Sequence, residues 1–159
     1  MIKRILSALF CLSILFVGAQ LTKAEIKKDV LGLYIGMERE AAIKLLQKIG
    51  KKNHDERKQQ EIWALSNNSQ FSHVIIAFDK EYKKVRFVTA KARENGKRVR
   101  YADVLDTRKA VQMGSGGNYN YVLEVPERSN QPGYKIIARG TDKNYLTYFA
   151  VEEIEIVQK

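Results

Sequence analysis

One cysteine and two histidines are all that the 159-residue chain has of the side chains that most often bind metals or carry redox chemistry. The cysteine, Cys11, lies in an N-terminal apolar run; without that run no disulfide can form, and zinc or thiol chemistry has almost no ligands. His54 and His73 are not at a metal-binding spacing, and His73, beside the apolar residues 74–78, reads as a strand-edge residue. No metal and no cofactor is expected. A catalytic constellation is lacking as well. Gly114-Ser115-Gly116-Gly117 has neither the lysine nor the strand–loop–helix setting of a phosphate-binding loop, and it is not Gly-x-Ser-x-Gly, so it reads as a flexible loop. Asp103 and Asp106 could share a helix turn, a spacing common on solvated faces. Ser115 has no partner nearby, because both histidines lie in the other half of the chain. No catalytic residue is assigned, and the chain is read as non-enzymatic.

What is present begins with a leader. Lys3 and Arg4 precede an apolar run over 5–19, and small residues precede Gln20 and Glu25, the three-part pattern of a secretory signal over residues 1–24. Cleavage is expected after Ala19 or Ala24. The run is 15 residues long, short of the roughly 20 that span a bilayer, so no integral membrane span is expected in the mature chain. The expected location is the periplasm or the exterior of the cell.

Residues 25–159 then form one domain, large enough for a hydrophobic core. Within 32–50, Met37, Ala41, Leu45 and Ile49, with Ala42 and Leu46 beside them, recur at the spacing that gathers apolar side chains on one helix face. Glu38 and Glu40 near the amino end, Lys44, Lys48, Lys51 and Lys52 near the carboxyl end, and Gly50 as a left-handed cap complete the helix signature. A polar loop is expected over 51–60. Strands are expected at 61–66, 72–79 and 84–93, with turns at Asn67-Asn68-Ser69, which also spells a glycosylation sequon but is read as a turn, and at 79–83. Asn95-Gly96 suits a tight reversal with positive φ. A short second helix over 101–111, capped by Asp103, precedes strands at 119–125, 134–139 and 145–156. The fold class is α+β, an antiparallel sheet packed by one main N-terminal helix. The order also admits two halves, 25–96 and 97–159, each a helix followed by three strands.

Charge is the second feature. Setting aside Lys3, Arg4 and Lys23 of the leader leaves 25 Lys and Arg against 18 Asp and Glu, a net charge of +7. Residues 80–100 alone hold nine basic side chains against Glu81 and Glu94, also +7. Lys84, Arg86, Lys91, Arg93, Lys97, Arg98 and Arg100 are therefore the candidate residues for binding an anionic partner. The plainer reading is that they guard a hairpin against edge-to-edge pairing and keep it soluble. On the strand itself, Val85, Phe87, Thr89, Lys91 and Arg93 share one side, and Lys84, Arg86, Val88, Ala90 and Ala92 the other, so the apolar side changes along the run. A twist, a bulge or burial of both faces would each explain that. Tyr101, Tyr119, Tyr121, Tyr134, Tyr145, Tyr148 and Phe149 could stack on bases or sugars, but their alternating positions favour packing in the core, as does the single tryptophan, Trp63.

Leu33-Tyr34-Ile35-Gly36-Met37-Glu38-Arg39-Glu40-Ala41 resembles the loop–helix that opens the fold shared by β-lactamase inhibitory proteins and the small SmpA/OmlA-type lipoproteins of outer-membrane assembly. The match covers about 15 residues, with a glutamate where that motif usually has serine or threonine, no lipid-bearing cysteine after the leader and no disulfide pair. The resemblance implies an exported α+β module that offers its sheet or loops to another macromolecule, and it carries over no binding residue. The expected function is recognition of a protein partner with an acidic face, through the sheet and the basic hairpin. Binding of an anionic envelope polymer such as lipopolysaccharide, or of nucleic acid, is the alternative. A small hydrolase that gathers a histidine with Ser115 or an aspartate is the second alternative.

Overall fold

A computed structural model describes residues 27–53, 60–129 and 131–154; the expected leader, His54 and residues 155–159 lie outside the described residues. It contains one α-helix, α1 (Arg39–Ile49), and eight strands: β1 (Gly50–Lys52), β2 (Gln60–Leu65), β3 (Phe71–Phe78), β4 (Val85–Ala92), β5 (Val111–Met113), β6 (Tyr119–Val125), β7 (Tyr134–Gly140) and β8 (Tyr148–Glu153). All pair antiparallel in a single sheet of order β1-β2-β3-β4-β8-β7-β6-β5. The class is α+β with the sheet dominant. Two four-strand meanders meet through their last strands, so β4 and β8 form the middle.

Local chemistry explains why the helix sits where it does. Gly36 turns the chain at φ 85°, a conformation only glycine adopts without strain. Residues 36–39 then run along the start of β4: Gly36 N–H donates to Val85 O (2.7 Å), Val85 N–H to Met37 O (2.8 Å) and Arg39 N–H to Lys83 O (2.9 Å). Ala42 and Leu46 are fully buried, with Met37, Ile43, Leu45 and Ile49 packed around them, whereas Ala41 faces solvent. The apolar stripe is therefore turned by one position from the expected one.

Helix α1, the loop before it and the crossover 97–110 cover one face of the sheet. Val74, Ile76, Val88, Ala90, Phe149, Val151, Ile136 and Ala138 point into that layer and join one core with Val30, Leu33, Val99, Val104 and Leu105. Trp63, Tyr101 and Tyr134 are buried there as expected, and Tyr119 and Tyr121 pack against them. Tyr148 does not belong to this core: it is 40% exposed on the opposite face.

Four other expectations need correction. Gly50 is not a left-handed cap; its φ is −165° and it opens β1, because a Cβ there would stand 2.4 Å from Ala64 O on the neighbouring strand. Residues 101–111 make only a 3-10 turn at Tyr101–Asp103, where Asp103 accepts from the Arg100 N–H (3.0 Å), and Val111 already belongs to β5. The three-residue β1 and β5 thus escaped the sequence pattern. Gly96 is not at positive φ; it is glycine because a Cβ would collide with Ser69 O at 2.3 Å. His73 lies inside β3, opposite Ala64 and Lys91, and not at a strand edge. Asn68 does make the expected turn, its Oδ1 accepting from the N–H groups of Gln70 (2.8 Å) and Phe71 (2.7 Å).

The change of apolar side along β4 has two causes. Phe87 pairs with Ala77 but Val85 pairs with Phe78, so Arg86 is an extra, bulged residue that turns Val85 toward the covered face. In the middle, Val88, Thr89 and Ala90 are all buried, so both faces are lined there.

Candidate functional site

The face away from α1 has no layer over it among the described residues. Strand register resolves it into three rows that cross the sheet. The central row runs Ile62, Ile75, Thr89, Ala150, Ile137, Val122, Val111, one residue from each strand between β2 and β5, and only Thr89 carries a polar atom. On one side lies Ala64, His73, Lys91, Tyr148, Arg139, Asn120, Met113; on the other, Gln60, Ala77, Phe87, Glu152, Lys135, Glu124. One margin of the apolar row is thus basic and aromatic, and the other is acidic on balance.

Over β4, β8, β7 and β6 this face is hollowed into a groove of about 870 Å³. Its floor is low at the junction of the two meanders. Thr89 and Ala150, directly opposite one another, are only 8% and 7% exposed although no element covers them, because the longer Phe87, Ile137 and Tyr148 stand around them. Arg139 donates from Nε to Asn120 Oδ1 (3.2 Å) at one end of the groove. Glu152 stands at the other, and its carboxylate has no ion pair or hydrogen bond among the described residues. Tyr148 reads in the sequence as a core residue, and none of the others stands out there as a site. The signal available was the alternation at 148, 150 and 152, which without the strand order reads as ordinary sheet.

The seven basic candidates do not gather into one ridge. Lys84 meets Glu38 (3.5 Å) and Arg86 occupies the bulge, both at the helix end of β4. At the far end, Arg93 is turned inward, its guanidinium donating to the carbonyls of Asn68 (3.0 Å), Leu65 (3.0 Å) and Phe71 (3.3 Å). Arg98 pairs with Asp142 (2.6 Å) and lies over the Tyr145 ring, 3.7 Å from its centre. Arg100 closes on Asp103 (2.8 Å). Lys91 reaches the open face in the row beside the groove, and Lys97 is exposed on the crossover. β4 is also the fourth of eight strands, so it presents no edge for these charges to guard.

The acids of these pairs are tuned accordingly. The Arg100 guanidinium hydrogen-bonded to Asp103 holds its carboxyl below the ordinary value of 3.8. Asp142 is lowered first by the backbone N–H of Asn144 and then by Arg98. Asp106, three residues from Asp103 in the chain, is instead lowered by its own partner Arg108 (3.0 Å). Ser115 lies in the exposed loop between β5 and β6.

A second polar cluster sits beneath the start of α1. Buried Glu61 accepts from Arg39 (2.8 Å), from the Trp63 indole N–H (3.3 Å) and lies 3.6 Å from Lys52, while Arg39 also covers the Phe78 ring. The cavity beside it holds about 360 Å³. The Glu61 carboxylate is already met by Arg39, Lys52 and Trp63, so the cluster is a structural pairing of helix and sheet. Among the described residues no group of His, Cys, Asp or Glu could hold a metal ion, and no helix is long and apolar enough to cross a membrane. No protein-family model matches the chain, and comparison with curated proteins and with solved structures finds no match either.

Proposed function

We propose that the protein, freed of its leader, is an exported, non-enzymatic binding module that recognises a protein partner, in the periplasm or outside the cell, across the open face of its sheet. The observation that carries this is the central row from Ile62 to Val111, a contiguous apolar band across seven strands with no covering layer among the described residues. Sheets that expose one face ordinarily set polar side chains on it, and a long apolar band rimmed by polar residues marks an interaction surface. The loop–helix resemblance of residues 33–41 is compatible with this reading, since it implies a module that offers its sheet or loops to another macromolecule. Of the basic candidates, Lys91 and Lys97 are the two whose side chains have neither an ion pair nor a hydrogen bond among the described residues, and they favour an acidic partner.

The test is a cross-linking pull-down from envelope extract with residues 25–159, at low and moderate salt. It runs beside the double substitution Ile75→Asp with Ile137→Asp and the charge reversal Lys91→Glu with Lys97→Glu. One protein recovered by the parent and lost with the aspartate pair, whose melting temperature stays unchanged, is the expected result. Capture that survives both variants would remove the open face from the account. Recovery of nucleic acid or lipopolysaccharide, falling steeply with salt, would replace the protein partner with an anionic polymer.

A further inference from the structure

We infer that the groove selects an extended segment of the partner that presents an acidic, an apolar and a basic side chain at alternate positions, the apolar one seated over Thr89 and Ala150. This rests on the open face being the binding surface and names what that surface reads.

Tyr148, Ala150 and Glu152 lie on the open side of β8, with Arg139 beside Tyr148 on β7. Four residues of strand separate the basic end of the groove from its acidic end, about 13 Å at the usual rise per residue. Ala150 is midway. In an extended ligand, positions i, i+2 and i+4 face the same side and span that same length. A segment laid along β8 therefore sets its first, third and fifth side chains over Arg139, the Ala150–Thr89 depression and Glu152.

Chemistry at each point sets the class of side chain. The depression is floored by a methyl group and a threonine and walled by Phe87, Ile137 and Tyr148, so it takes an apolar or aromatic knob. Its two ends carry opposite charge. Lys91 and Arg139 flank Tyr148 in the basic row, and Glu152 with Glu124 outnumber Lys135 in the acidic row. A ligand with two acids would leave Glu152 facing a like charge, and one with two bases would do the same to Arg139. Charge complementarity thus selects a mixed segment against both.

The probes are synthetic peptides. One carries the core Glu-Ser-Phe-Ser-Lys. The controls carry Glu-Ser-Phe-Ser-Glu, Lys-Ser-Phe-Ser-Lys and Glu-Ser-Gly-Ser-Lys. Each is titrated to millimolar concentration into isotope-labelled residues 25–159, while the backbone amide signals of Thr89, Ala150 and Glu152 are followed. The mixed peptide should shift these signals saturably, and each control should bind about tenfold more weakly or worse. Substitution should re-aim the preference: Arg139→Glu should favour the two-lysine peptide, and Glu152→Lys the two-glutamate peptide. Ala150→Leu should abolish binding of all of them by filling the depression. These gains of affinity cannot come from unfolding. Equal binding of mixed and control peptides, or an Arg139→Glu protein that keeps the parent's preference, would overturn the inference. If partner capture is lost with the Ile75 and Ile137 substitutions while no peptide is preferred, this inference alone fails. If capture survives those substitutions, the open-face reading falls with it.

Discussion

Arg93 shows how little a residue's type says about its work. In the sequence it is one of nine basic side chains in a 21-residue window. In the structure its guanidinium ties three backbone carbonyls from Leu65, Asn68 and Phe71, and so holds the β2–β3 turn against the start of the crossover. Charge-assisted bonds of this kind stabilise by about 1.5–3 kcal/mol each when the acceptors would otherwise be left unmet. Arg93→Ala should therefore cost roughly 2–3 kcal/mol in urea unfolding, without changing the m-value. Arg98 and Arg100 act differently, through Asp142 and Asp103. Both carboxyls, with those of Asp79 and Asp106, have folded values below the ordinary 3.8. A depressed acid binds its proton less tightly in the folded state than in the unfolded one, so its contribution is complete above about pH 5 and is lost as the pH falls through the folded values. Melting temperature should hold steady from pH 7 to 5 and drop below pH 4, and Asp142→Asn should flatten that drop. Tyr101 works at the other end of the scale. Burial pushes its hydroxyl up to about 12 from 10.0. The unfolded chain ionises it first, so stability should decline between pH 10 and 12, and Tyr101→Phe should lessen that decline.

At the scale of elements, the junction of α1 with β1 is where local preference and packing part company. Gly50 follows a helix of suitable residues and stands where a left-handed cap would end it, yet it continues as extended backbone. What decides is the neighbouring strand: Gly50 pairs with Leu65, and Ala64 O lies where a Cβ would be. Gly50→Ala should destabilise the protein by about 1–3 kcal/mol through that collision, because any residue can adopt its φ. A melt of Gly50→Ala within 0.5 kcal/mol of the parent would show that β1 can move aside without cost. The same tension hides β5. Residues 101–111 carry apolar spacing and an acidic residue near their start, as a helix would, but Val104 and Leu105 are drawn into the core and Val111 into a ladder with Val122. Long elements with a steady period, such as β6 at 119–125, were legible from the sequence to the residue. The three-residue strands were not, since three residues contain too few alternations to display a period of two.

On the scale of the whole molecule, the two meanders share one core and one open face. Val88 meets Val151 and Ala90 meets Phe149 across the β4–β8 seam, and all four side chains are buried. Residues 25–96 alone would expose the unpaired rim of β4 and half of that core. Produced separately, they should be insoluble or unfolded by circular dichroism, and the full domain should unfold in one cooperative step. Two transitions, or a soluble folded 25–96 fragment, would show that each half closes its own core. The candidate site exists only at this scale. Arg139 and Glu152 belong to different strands, and the depression between them forms where Thr89 of one meander meets Ala150 of the other.

The sequence by itself determined the α+β class, the main helix, six of the eight strands and the burial of Trp63, Tyr101 and Tyr134. These follow from the spacing of apolar residues along a few consecutive turns or pleats, which is a local property. The tertiary structure alone decided that β4 lies beside β8, that one face of the sheet is left open by the described residues and that most of the basic window is spent on internal contacts. Each of these depends on partners distant in the chain: Arg93 on carbonyls 22 to 28 residues away, and Arg98 on Asp142 44 residues away. Periodicity reports which side of a strand is apolar. It cannot report which strand comes next to it, and the groove is made of that adjacency.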